Sequence, residues 1–161
     1  MIVVYTDGSC KNNGNLDAIG GYSLVEIDED TNTVLYCKSK KTEMTTNNRE
    51  ELKAVLVSLL RYGKNETPMT VYSDSAYVVN TFNDWMFKWQ QNGWLKSDGK
   101  QPENMDLISM YYSYYMSGYR INLQKVKGHN NIFGNELADK LATGEMSSDE
   151  VMKQYGKKII Y

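Results

Sequence analysis

The hydrophobic period of the chain changes abruptly near residue 48, and that change restricts its fold more than any other feature. Before it lie three short runs rich in β-branched and aromatic residues, at 1–6 (MIVVYT), 20–27 (GGYSLVEI) and 33–40 (TVLYCKSK). Such runs read as strands, and short polar links such as residues 28–32 (DEDTN) favour an antiparallel meander. From Asn48 the spacing becomes helical, with Leu52, Val55, Leu56, Leu59 and Leu60 on one face and Gly63 where a helix would close. Residues 69–73 (MTVYS) form a further strand after Pro68, and a helical stretch begins near 75. Another helix is expected near 103–116. In residues 119–125, Tyr119, Ile121 and Leu123 alternate with Arg120, Asn122 and Gln124, as in a half-buried strand. A last helix turns Leu137, Ala138 and Leu141 inward. The order is β-β-β-α-β-α-α-β-α. Because a crossover through a helix is right-handed and returns a parallel strand, the expected fold is α/β, with a five-stranded mixed sheet flanked by helices. Three antiparallel strands precede the parallel ones.

Composition narrows the class. With 161 residues, 41% hydrophobic content and 2 prolines, the chain suits one globular unit. No stretch approaches the roughly 18 apolar residues of a membrane span. The start, MIVVYTDGSC, lacks the basic and apolar regions of a secretory signal, so a cytoplasmic protein without membrane contact is expected. Cys10 and Cys37 lack the histidine spacing of a zinc site and read as structural thiols. The formal charge of −2 supplies no global basic field for nucleic acid, so any polyanion contact must be local. The segment after 145 is polar, with a Lys157-Lys158 pair, and is expected to be loosely held. No large apolar face is left over, and a monomer is expected.

Four carboxylates stand where such a fold would gather them. Asp7 follows the first strand and Asp74 the fourth, and parallel neighbours end at the same edge of the sheet. Glu51 lies in the first turn of the helix that starts near Asn48, and Asp139 lies one turn into the last helix. Brought together they would repel one another unless a hard divalent cation, magnesium or manganese, neutralised them. Each also has an ordinary reading. Asp-Gly and Asp-Ser are turn sequences, Glu51 sits three after Asn48 as in a capping box, and Asp139 could be a solvated helix residue. His129, after Gly128, could be merely exposed.

The surrounding strings resolve the ambiguity. YTDGSC (5–10), TTNNREEL (45–52), YSDSAYV (72–78), VKGHNN (126–131) and NELADKLA (135–142) resemble, in order, the motifs of type 1 ribonuclease H. Residues 85–107 are similar to the basic handle of its bacterial members. The resemblance implies a ribonuclease H-like domain over 1–144, a handle at about 83–104 and a C-terminal tail over 145–161. It implies an endonuclease that hydrolyses the RNA strand of RNA/DNA hybrids, as in primer and R-loop removal. Asp7, Glu51, Asp74 and Asp139 fall on the family's metal ligands and His129 on its catalytic loop histidine. Two magnesium ions about 4 Å apart, replaceable by manganese, would activate the attacking water and stabilise the leaving oxygen, with Asp7 bridging them. His129 would move protons or help product leave.

Substrate contacts follow by the same motifs. Asn13, Asn47 and Asn48 match positions that touch the hybrid, and Thr46 matches a residue at a DNA phosphate pocket. Amides suit that task because they both donate to and accept from 2′-hydroxyls. In the handle, Trp85, Trp89 and Trp94 with Lys88 and Lys96 would grip the DNA strand, unless the tryptophans mainly pin the handle to the body. The chain departs from the family twice. Ala76 stands where a glutamine is common, and residues 85–104 carry only +1, from three lysines against Asp98 and Glu103. Weak salt dependence is therefore expected. A related nuclease acting on another nucleic acid and a non-catalytic hybrid-binding module are the alternatives. The complete carboxylate set argues against the second. A free-standing enzyme is expected rather than the similar domain of a reverse transcriptase.

Overall fold

In the computed structural model, which describes residues 1–13, 15–126 and 132–158, one sheet orders the strands β3-β2-β1-β4-β5. Strands β1 (Ile2–Lys11), β2 (Ile19–Asp28) and β3 (Thr33–Glu43) form the antiparallel meander. Strand β4 (Thr70–Ser73) lies parallel to β1, and β5 (Asn122–Lys125) lies parallel to β4. The mixed α/β sheet expected from the period change is therefore present.

Strand β1 runs further than its apolar residues suggest. Its pairing with β2 continues to Lys11 opposite Ile19, whereas its pairing with β4 covers only Val4 with Val71 and Tyr5 with Tyr72. The Thr6 hydroxyl donates to the Tyr72 carbonyl at 2.8 Å, at the end of that seam. Asp7 thus lies inside a strand, where β1 and β4 stop pairing, and does not end the strand as its sequence position suggested. Backbone pairing with β2 sustains this polar half of β1, where side-chain hydrophobicity gives no sign of it.

Alternate residues of β1 feed two cores. Val4 joins Leu24, Val71 and Leu123 under α1 (Asn47–Tyr62) and α4 (Met105–Met116). Val3 and Tyr5 join Val25, Ile27, Leu137 and Leu141 under α5 (Phe133–Thr143). This is the period-2 rule of a strand covered on both faces. In α1, Leu52, Val55, Leu56 and Leu59 are buried as expected, but Leu60 is turned partly to solvent. Gly63 closes α1 by donating its N–H to the Leu59 carbonyl at 2.7 Å.

Between β4 and α4 the chain forms α2 (Ala76–Asn80), one π-helical turn (Thr81–Trp85) and α3 (Met86–Gln91). Phe82 anchors this arm, stacked on Tyr111 of α4 with ring centroids 3.9 Å apart. The segment after 145 is better held than its polarity suggested. It forms α6 (Ser148–Tyr155), capped reciprocally by Ser147 and Glu150, with Val151 fully buried against the second core. Tyr155 packs edge-on to Phe133, and the Cys37 thiol contacts the Ser148 carbonyl. Val151, with Met146 and Tyr155 packed beside it, docks the segment on the second core, which composition alone does not reveal. Among the described residues no helix is long and apolar enough to cross a membrane.

Candidate active site

The site starts from a close backbone approach. A Cβ on Gly8 would collide with the backbone of Glu50 and Glu51, so the glycine lets β1 lie directly against the first turns of α1. Glu51 consequently faces Asp7 and accepts a hydrogen bond from the Gly8 N–H. Asp74, one residue beyond β4, enters from the other side of the opened seam. One carboxylate oxygen from each of Asp7, Glu51 and Asp74 lies within 4.8 Å of the others. Asp7 and Glu51 are only 6% and 8% exposed, and Asp74 is exposed.

Asp139 stands slightly apart. It is exposed on α5, lines the same cleft of about 860 Å³, and hydrogen-bonds the Asp7 carboxyl without joining the tight trio. The electrostatics are those of an uncompensated acidic centre. Burial, followed by Asp74 and Asp139, pushes Asp7 well above the usual carboxylate range, although its hydrogen bond with Glu51 opposes this. Burial and then Asp7 push Glu51 up, and burial raises Asp74. Glu51 Oε2 is buried and has no hydrogen-bond partner. Three converging carboxylates, one of which carries an unpartnered buried oxygen, suit a hard divalent cation, which prefers carboxylate oxygen and would reverse all three shifts.

Several substrate-contact candidates meet beside this centre. Asn13 Oδ1 accepts the Asn47 N–H at 2.7 Å, which ties the end of β1 to the start of α1. The N-cap of α1 is Thr46, whose hydroxyl accepts the Arg49 N–H at 3.1 Å. The capping box read from Asn48 to Glu51 is therefore not formed. The N-cap lies two residues earlier, at Thr46, and Glu51 is left to the acidic centre. Asn47 and Asn48 are exposed, and Asn47 lines the cleft. His129 lies outside the described residues.

The handle candidates lie in the π-helical turn, in α3 and in the loop that follows it. Trp85 lies edge-on to Tyr77 at 6.4 Å and 6.0 Å from Trp89, and Trp94 lies edge-on to Tyr112 at 5.2 Å. All three tryptophans are half-buried, so part of each ring fastens the arm. Lys88 pairs with Asp84 at 3.3 Å, and Lys96 lies 3.9 Å from Asp98. Ala76 opens α2 behind the Ser75 cap and is exposed.

Two residues near the site escaped sequence reasoning. Glu50 is fully buried, accepts from the Thr45 hydroxyl at 2.7 Å and pairs with Lys53 at 2.9 Å, which braces the turn carrying Thr46 to Asn48. Its i,i+3 spacing to Lys53 was a visible signal. Arg49 forms two hydrogen bonds to Asp106, at 3.0 and 2.6 Å, and one to Asn104 at 3.3 Å. That link joins the first turn of α1 to the end of the handle segment, and residues 57 apart in sequence give no local hint of it.

The RNase H family model matches residues 1–147 of this chain. A ribonuclease H of Thermoanaerobacter sp. (strain X514) is 40% identical over 152 residues, which cover 91% of this chain and 90% of that protein. The solution structure of the PFV RNase H domain is similar with a TM-score of 0.75 at 28% identity, over 89% of this chain and 92% of that one. LC11-RNase H1, crystallised in complex with an RNA/DNA hybrid, is similar with a TM-score of 0.59 at 26% identity, over 94% of this chain and 99% of that one.

Proposed function

The chain belongs to the RNase H family, whose members are endoribonucleases, and from that premise we propose that it hydrolyses the RNA strand of RNA/DNA hybrids at the Asp7–Glu51–Asp74 centre. The observation that carries this reading is the convergence of the three carboxylates, with Glu51 Oε2 buried and unpartnered, on the cleft that Asp139 also lines. Asp7, Glu51, Asp74 and Asp139 would hold divalent cations, two magnesium ions with manganese able to replace them. When bound, such cations supply Lewis acidity for an in-line displacement at the phosphodiester, on the attacking and the leaving side.

The chain's own residues supply the rest. Asp7, whose carboxyl interacts with both the Glu51 and Asp139 side chains, would be a ligand of the bound cations. Its burial and that of Glu51 leave these ligands little rotational freedom, so the geometry is set before substrate arrives. Asn13, Asn47 and Asn48 would read 2′-hydroxyls and backbone in the minor groove, with Thr46 near a phosphate. The Asn13–Asn47 hydrogen bond and the Glu50 brace hold this group in register with the carboxylates. Trp85, Trp89 and Trp94 would present the exposed parts of their rings to the DNA strand. His129 would exchange a proton with the leaving group or speed product departure.

The test is cleavage of an end-labelled RNA/DNA hybrid, with matched double-stranded RNA and double-stranded DNA, in magnesium, manganese and EDTA. Cutting confined to the RNA of the hybrid, and abolished by EDTA, is expected. A hybrid that is bound but left intact in both metals overturns the reading in favour of a binding module.

A further inference from the structure

From the distribution of free and paired lysines we infer that the hybrid's sugar-phosphate backbone is gripped chiefly along the β1–β3 side of the cleft, by Lys11, Lys40 and Lys41, and only weakly by the handle. The inference deepens the proposed function and rests on it. One continuous cleft contains the acidic centre and these three lysines, together with Thr143 and Gly144 at the end of α5. Lys41 pairs with Gly21 of β2, which pairs with Ser9 of β1. It therefore lies two strand spacings, about 10 Å, across the sheet from the row just beyond Asp7.

The ion pairing of the two surfaces differs. Lys11, Lys40 and Lys41 are exposed, and among the described residues none forms an ion pair or a side-chain hydrogen bond. The one other acidic side chain in the cleft, Asp17, is already engaged by Asn12. In the handle, by contrast, two of the three lysines, Lys88 and Lys96, each face a neighbouring carboxylate, which leaves Lys100 as the handle's one lysine without an ion pair among the described residues. A lysine that must leave a carboxylate to meet a phosphate gains less from the exchange than one facing water alone. The polyanion is thus attracted most strongly where it also reaches the carboxylates, provided that cations neutralise them. Lys40 and Lys41 are adjacent on an edge strand, so their side chains diverge to the two faces and offer two separated points of charge rather than one.

The experiment compares Lys40→Ala/Lys41→Ala with Lys88→Ala/Lys96→Ala. Binding of a fluorescent 20-base-pair hybrid is followed by anisotropy across a salt series in an Asp74→Asn background, and KM and kcat are measured in the otherwise native protein. Each neutralised phosphate contributes about 0.9 to the slope of log affinity against log salt. The slope is expected to fall by about two for the Lys40/Lys41 pair and by less than one for the handle pair. KM should rise in the Lys40/Lys41 variant while kcat stays unchanged. The inference is overturned if the Lys40/Lys41 slope is unchanged, if the handle pair carries the larger loss, or if the only effect is a shifted magnesium requirement. In each of those cases the parent still cuts the hybrid. A parent that neither binds nor cuts it overturns the proposed function, and this inference with it.

Discussion

Replacing Asp7 by asparagine should remove activity and at the same time stabilise the metal-free protein. Asp7 and Glu51 are buried and, with Asp74, place carboxylate oxygens within 4.8 Å of one another. At that separation and an effective dielectric constant near 20, one ionised pair repels by about 3.5 kcal/mol. Partial protonation relieves some of this, since burial raises both groups. A net gain of about 2–3 kcal/mol is therefore expected for Asp7→Asn in EDTA at pH 8. The asparagine amide can donate to Glu51 and Asp139, so no new unsatisfied group is created. For a domain of this size the gain corresponds to roughly 4–12 °C in Tm.

The pH dependence has a definite sign. A carboxyl raised on folding makes the folded state bind more protons than the unfolded one, so its unfavourable contribution grows as pH climbs from the unfolded pKa of about 4 through the raised folded value. It is absent below that window. The advantage of Asp7→Asn over the parent should shrink toward pH 4.5 and be offset at pH 8 when magnesium stabilises the parent alone. The assay is thermal unfolding by circular dichroism at both pH values, with EDTA or magnesium. An Asp7→Asn protein no more stable than the parent in EDTA at pH 8 would refute the reasoning, because the trio would then not be electrostatically strained.

Three further outcomes are expected. His129→Ala should lower the cleavage rate by about 100-fold yet leave measurable activity, whereas Asp74→Asn nearly abolishes it, and equal losses in single-turnover assays would contradict that ranking. Gly8→Ala should cost about 1–3 kcal/mol in denaturant titrations and reduce cleavage as well, because its methyl group pushes the first turns of α1 and hence Glu51 away from Asp7. Val151→Ala should cost about 2 kcal/mol through lost burial and a cavity while leaving kcat unchanged, which separates the docking of α6 from the chemistry.

Much of the site was legible because its markers are local. Asp7, Glu51 and Asp74 sit in short strings beside recognisable strand or helix signals, which mark them as neighbours at one edge of the sheet. The placement of Asp139 was less legible. Sequence grouped it with the other three as an equal, whereas the structure leaves it exposed in the cleft and outside the trio whose oxygens lie within 4.8 Å of one another. The cap of α1 is Thr46 and not Asn48, two residues on, because both are good caps and the choice between them depends on how the loop from β3 lands, with Thr45 held by buried Glu50.

The period change and the order of apolar runs determined, from the chain alone, a mixed five-stranded sheet, two covered faces and an acidic edge. These follow from which side chains must leave water and at what spacing, and that information is one-dimensional. The tertiary structure alone decided where β1 parts from β4, how closely Gly8 lets α1 approach, that Arg49 reaches Asp106, and which lysines already have a carboxylate beside them. Each depends on the distance between residues remote in sequence, and distances that decide hydrogen bonds and charge neutralisation exist only once the sheet and its helices have packed.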